Sequence, residues 1–563
     1  MAPARAGARQ WFNLNWSGKM SGIAGLHADT IVYNGTIWCG YEEGTVQALA
    51  AFHGRVLATG CTEDILRLKG PHTQLVDLEG RFATPGLNDA HLHLLLVGMT
   101  LSWIDATPRA APTLAGLLEA IRERAASVPP GTWIKARGYD QTKLDVGRHP
   151  HKSELDGAAP DHPVLLERAC GHVSIFNSKA FELAGVDELT AVPAGGLIEQ
   201  ANGALTGMVA ENAHSFFLDI MPAPTTDEMI DAIEAAGELL LSYGITSVMD
   251  AAVGQIAGFD EIRAYNLAKL SNRLPVRSWL VLLQDRRSMV DDCFKAGLVS
   301  GVGDDMMMIG GVKIFLDGST GGRTAWMSQP YMGEDKNFGV QILSDAELDA
   351  LVVDSHKKGY QLACHAIGDA AIEQLITAYE KALNAFPDPN RRHRIEHCGF
   401  STPQHHQRMK TAGIYPCPQQ VFIYDFGDAY ISVLGEERAR SSYPLKTWKQ
   451  LGFNPATGSD SPVSHPNPFP NIYSMLTRKT VKGTVMDPSE CVTIEEALQV
   501  YTEYGAFSQK LEHIKGKLVA GQMADIAVFS RNMLTASPEN ILRDTQCVLT
   551  IRGGQVVFDR GAL

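Results

Sequence analysis

The 563 residues are 45% hydrophobic and 20% charged, an ordinary globular balance, and the length suits one large barrel with attachments as well as three or four separate domains. A formal charge of −14 argues against nucleic acid or an anionic membrane as partner, and no apolar run approaches the length of about 18 residues that a bilayer span requires. Nine cysteines without close pairs, and an N-terminus lacking an apolar signal core, predict reduced thiols in a cytoplasmic protein rather than a secreted disulfide frame.

In chain order, residues 1–27 are polar and Gly/Ala-rich with isolated Trp11, Phe12 and Trp16, and predict an N-terminal arm, disordered or packed over the body. From Ala28 the texture turns to short β-rich runs, ADTIVYNGTIWCG, TVQALAAFHGRVLATG and TQLVDLEGRF, separated by Asn-Gly, His-Gly and Glu-Gly turns. The same texture returns in KGKLVAGQMADIAVFS and VLTIRGGQVVFDR. Each end is too small to bury a core alone, so 28–82 and 510–563 are expected to pack as one small β-sandwich. Between them, strand-like runs alternate with helical stretches such as DEMIDAIEAAGELLLSYG and DAAIEQLITAYEKALNAF. Eight candidate strands end at His91/His93, Asp250, Leu283, Lys313, His365, His397, Gln419 and Asp460. This alternation predicts an α/β fold, a (β/α)8 barrel from 83–101 and 226–509. The stretch 102–225, after the first strand, is far too long for one crossover and is expected to be an inserted subdomain over the barrel mouth.

A His-x-His pair is weak evidence alone, since 18 histidines supply about 0.6 such pairs by chance, and this chain has two. His91-Leu92-His93 closes an apolar stretch opened by Thr84-Pro85-Gly86, where strand alternation points both rings to one side. His149-Pro150-His151 lies in GRHPHKSELDGAAPDHP, which reads as a surface loop. His365 after QLAC, His397 after RIE and Asp460 after ATGS repeat one pattern: a metal-competent side chain at the C-terminal end of a strand, where barrel enzymes assemble their sites. Each has a plain explanation, a hydrogen-bonded core histidine or, for Asp460, a helix cap in Ser-Asp-Ser-Pro. Together those explanations require five coincidences at five strand ends. Lys313 lies inside the apolar VKIFL, where a bare ammonium is costly unless something pairs with it or removes its charge; an ion pair with Asp317 is the structural alternative.

The segments TPGLNDAHLHL, PVLLERACGHVSIFNSKAFELAGV, GGVKIFLDGSTGGRTA, CHAIGDAAI, RIEHC, VFIYDFGDAY and GSDSPVSHPNP resemble the metal-dependent amidohydrolase superfamily, specifically amidohydrolase family 3, the branch of N-substituted formamide deformylases. The resemblance runs from about Asp29 to Asp559 and implies a distorted (β/α)8 barrel flanked by a small β-sandwich. It implies that His91 and His93 hold the more buried metal, that His365 and His397 hold a second, and that Lys313 is carboxylated and bridges them. Asp460 would ligate the first metal and act as general acid/base. The cofactor implied is a divalent metal, zinc above others, at one or two ions per chain. Gly138-Tyr139-Asp140 departs from an expected Gly-Trp-Asp, and Gln419-Gln420 from an expected Gln-Pro. These departures fall where substrate would bind and leave the ligands intact.

Tyr139, His172, Arg323, Phe422 and Tyr424 are the expected substrate contacts, in segments that face the mouth; Arg323 could equally pair with a structural carboxylate. The expected function is hydrolysis of a non-peptide C–N bond in a small-molecule N-substituted amide or formamide, by a homo-oligomer without nucleic acid or membrane partners. A mononuclear deaminase is one alternative, opposed by the absence of a Glu from His365-Ala366-Ile367-Gly368-Asp369. A non-catalytic binding protein on the same fold is another, opposed by the presence of all six ligand candidates.

Overall fold

Runs such as ITSVMDAAV and RSWLVLL are apolar on both faces, which suits strands covered on two sides in a parallel sheet. The computed structural model describes residues 27–193, 195–284, 289–388 and 390–561, so the arm expected over 1–27 lies, apart from residue 27, outside the described residues. Seven parallel strands form the central sheet: β1 (Leu87–Leu92), β2 (Ile245–Val253), β3 (Arg277–Leu283), β4 (Met307–Lys313), β5 (Gln361–Ala366), β6 (Arg394–His397) and β7 (Tyr415–Cys417). Each pairs with its neighbour in chain order, and every residue of β2 is buried. Amphipathic helices such as Thr226–Leu241 and Asp369–Ala385 lay their apolar stripes on this sheet; the first begins with a Thr225/Glu228 capping box.

The expected eighth strand, ending at Asp460, is not a regular strand. Residues 457–461 instead pass irregularly through the gap between β7 and β1. Ala90 N–H donates to Thr457 O (3.0 Å), Asp460 N–H to His91 O (2.7 Å) and His93 N–H to Ser461 O (2.9 Å). On the other side Thr457 Oγ1 donates to Pro418 O (3.1 Å). The segment presses close on β1: a Cβ at Gly458 would sit 2.5 Å from His91 N and O. The barrel is thereby closed by seven strands and one irregular segment.

The chain ends share a sheet. Ile526–Phe529 pairs antiparallel with Phe82–Pro85 in a six-stranded sheet that faces a four-stranded one, and Val32, Ile37, Leu49, Ala83, Ile526, Val528 and Ile551 form the core between them. The region after β1 builds its own six-stranded sheet, from Ile104–Asp105 to Ala204–Glu211, with a separate core around Leu117, Ile134, Leu155 and Leu166. A buried bidentate pair ties barrel to sandwich: Arg277, first residue of β3, donates from Nε and Nη2 to Asp525 at 2.6 and 2.9 Å, and Asp525 also accepts from Gly553 N–H. These side chains are 10% and 7% exposed. Asp525→Ala strands a buried guanidinium and is expected to cost about 3–5 kcal/mol, read as a lowered urea midpoint; an unchanged midpoint contradicts this account of the junction.

Candidate metal centre

Alternation along β1 puts Asp89 and His91 on one side, and His93, the residue after the strand, is the N-cap of the helix Leu94–Thr100. On β6 the same rule sends Glu396 and His397 to opposite sides, yet both reach His91: Glu396 Oε2 lies 2.5 Å from His91 Nδ1, and the His397 ring centroid lies 4.9 Å from that of His91. The strand stops at His397, whose φ of +69° breaks the alternation. Asp460 is left-handed too, at φ +55°. Such backbone costs an L residue roughly 1–2 kcal/mol and is characteristic of functional sites.

The side chains converge. His91, His397 and Asp460, all buried, each offer a ligand atom within 4.8 Å of the others. Asp460 Oδ1 is 3.2 Å from His93 Nε2 and 3.4 Å from His91 Nε2. His365 adjoins His397 with centroids 4.3 Å apart. His397 Nδ1 lies 2.5 Å from Gln419 Oε1, and its ring is stacked on Phe422. Lys313 is buried, with Nζ 4.7 Å from the Phe315 ring centroid, and no carboxylate among the described residues bonds it. The ion pair with Asp317 is not formed. Asp317 accepts instead from the N–H groups of Trp326, Ile367 and Gly368 at 2.8–3.0 Å.

Burial pushes the Asp460 carboxyl up, but the His91 and His93 rings beside it outweigh burial and hold the group well below the usual range. Burial likewise opposes ionisation of Glu396, and Arg394 and His91 bring it down to about 2. Burial lowers Lys313, His93, His365 and His397. Of His91, His93, His365 and His397, only His91 is raised: burial and the Lys313 charge oppose its protonation, but Glu396 and Asp460 outweigh them. His91 Nε2 is buried with no hydrogen-bond partner. An orphaned imidazole nitrogen facing a carboxylate and two further imidazoles is the donor set of a Zn²⁺-like ion, so the residues present fit a metal.

The expected substrate contacts divide. His172 comes from the insert, its ring 5.9 Å from His365 and its Nδ1 2.8 Å from Glu211; burial opposes its protonation, but Glu211 raises it to about 9. Phe422 lies beside His397. Tyr139 is a core residue of the insert, its hydroxyl 2.9 Å from His149 Nδ1. Tyr424 packs edge-on against Tyr473 rather than on the histidines, and Arg323 is ion-paired with Glu334. His151 caps the helix Lys152–Ala158, so the second His-x-His pair has structural work. Sequence reasoning missed Glu396, Arg394 and Glu211. The i, i+2 spacing of Arg394 and Glu396 signals a same-side pair, but nothing in the sequence points that pair at His91.

A family model described as the amidohydrolase family matches residues 74–558. YtcJ of Bacillus subtilis (strain 168) is 30% identical over 538 residues, 94% of this chain and 99% of its own. The N-substituted formamide deformylase of Arthrobacter pascens is 26% identical over 523 residues, 91% of this chain and 95% of its own. Among solved structures, a metal-dependent hydrolase from Pyrococcus furiosus superposes with a TM-score of 0.72 at 29% identity, covering 90% of this chain and all of the other. The chain therefore belongs to the amidohydrolase family and is a metal-dependent enzyme that hydrolyses carbon–nitrogen bonds.

Proposed function

We propose that the chain hydrolyses an N-substituted amide, formamides foremost, at a divalent-metal site held by His91, His93, His397 and Asp460 and extended to a second ion by Lys313 and His365. The observation that carries this reading is the buried Asp460 carboxylate, set against His93 Nε2 and the partnerless Nε2 of His91. The formamide class draws support from the deformylase relative, which spans nearly the whole chain. Imidazole and carboxylate donors suit zinc.

When bound, the ion supplies Lewis acidity that lowers the pKa of water and polarises a carbonyl. Asp460 takes a proton from the attacking water at its carboxylate and returns it to the amine nitrogen as the C–N bond breaks. Lys313, buried without an anion, is the amine that CO2 would convert to a carbamate, forming an N–C bond and releasing a proton, and the resulting carboxylate would help hold metal beside His365. His172, backed by Glu211, contacts the substrate from the insert, which covers the mouth. Phe422 offers an apolar wall to the N-substituent.

Chelation is expected to abolish amine release from a panel of formamides, aryl amides and carbamates, and Zn²⁺ to restore it; full turnover by metal-free protein refutes the reading. Asp460→Asn should lower kcat by about 10²–10⁴-fold, and near-normal kcat in that variant removes Asp460 as the base. Metal analysis should find two ions per chain, with one lost in Lys313→Ala and activity partly recovered by short carboxylic acids. One ion in both proteins points instead to a mononuclear centre. His172→Ala should lower kcat/KM or shift substrate preference; if it does neither, His172 is not a substrate contact.

A further inference from the structure

The two ring nitrogens of His91 have different surroundings. Nδ1 meets Glu396 Oε2 at 2.5 Å, while Nε2 faces Asp460 and has no hydrogen-bond partner. An ionised carboxylate only accepts, so the proton of this contact belongs on Nδ1, and the neutral ring presents its lone pair at Nε2. Glu396 cannot turn away from this task. Arg394, two residues back on β6, donates from Nε to Oε1 (2.7 Å) and from Nη2 to Oε2 (3.0 Å).

Arg394 is 1% exposed and is anchored in turn. Its Nη2 also donates to the carbonyl of Ala90 (2.8 Å), and its Nη1 to Ser508 Oγ (3.3 Å). Ala90 directly precedes His91, so one guanidinium fixes the backbone before His91 and, through Glu396, the far side of its ring. Stability alone does not account for such a pair: a buried Arg–Glu pair roughly balances its own desolvation, and apolar side chains of equal volume would serve as well.

We propose that Arg394 and Glu396 are positioning residues that set the tautomer and orientation of His91, so that metal affinity depends on two side chains that never touch the metal. This inference rests on the metal-site reading above. Outer carboxylates on ligating histidines are commonly worth about ten- to hundredfold in affinity.

The test titrates metal-stripped full-length protein with Co²⁺ alone against a chromophoric chelator, records the visible absorption of the loaded protein, and compares thermal melting of the metal-free forms. Glu396→Gln keeps the shape and one acceptor oxygen but loses the charge. It is expected to bind Co²⁺ about ten- to hundredfold more weakly, with an altered absorption band. Should it misfold, the double variant Arg394→Met, Glu396→Gln, free of buried charge, is expected to show the same weakening. Affinity within twofold of wild type and an unchanged band overturn the proposal, even if melting falls, since that pattern belongs to a purely structural pair. Failure of both variants to fold also overturns it in favour of a structural role. Wild-type protein that binds no Co²⁺ sinks the metal-site reading itself, a result distinct from equal binding by wild type and variant.

Discussion

The backbone hydrogen bond from Asp460 N–H to His91 O, 2.7 Å long, sets the register on which the centre depends. It lays the closing segment along β1 so that Asp460 stands against both histidines of the first strand. Two neighbours lock that register: Asp89 accepts from Ser459 N–H at 3.1 Å, and Gly458 admits the His91 backbone where any side chain would collide. A regular eighth strand would run on in β conformation. The left-handed turn at Asp460 instead ends the segment and presents its carboxylate to the barrel mouth.

Around that register the molecule buries an unusual density of ionisable groups, and each needs a partner or a changed charge. Glu396 has Arg394 and His91; Asp460 has His91 and His93; His172 has Glu211. At the centre itself, no carboxylate among the described residues bonds Lys313, and His91 Nε2 has no hydrogen-bond partner. The metal centre proposed above would give both a use. The proposed ligands come mainly from the ends of the parallel strands, while His172 comes from the insert, so ligands and substrate contacts could vary independently.

Much was legible in the sequence. Polar residues closing apolar runs at His91/His93, Lys313, His365 and His397 marked strand ends, because in a parallel barrel only the strand ends are free of packing on both faces. β3, β4 and β6 end at the expected residues, Leu283, Lys313 and His397. The two chain ends share a texture of short alternating runs, and Ile526–Phe529 pairs with Phe82–Pro85.

What sequence could not supply are relations between residues far apart along the chain. Glu396 lies 305 positions from His91, and strand alternation pointed it away from the side that His397 serves; only the left-handed break at the end of β6 lets both reach the centre. Tyr139 and His172 looked equivalent as residues of the insert, but the packing of that insert decides which one lies in a core and which stands beside His365. The sequence by itself determined the barrel and the side chains able to bind a metal, because those follow from local periodicity and residue chemistry. Tertiary structure alone decided which nitrogen of His91 is held by Glu396 and which is left without a partner, because that depends on contacts made only when the barrel closes.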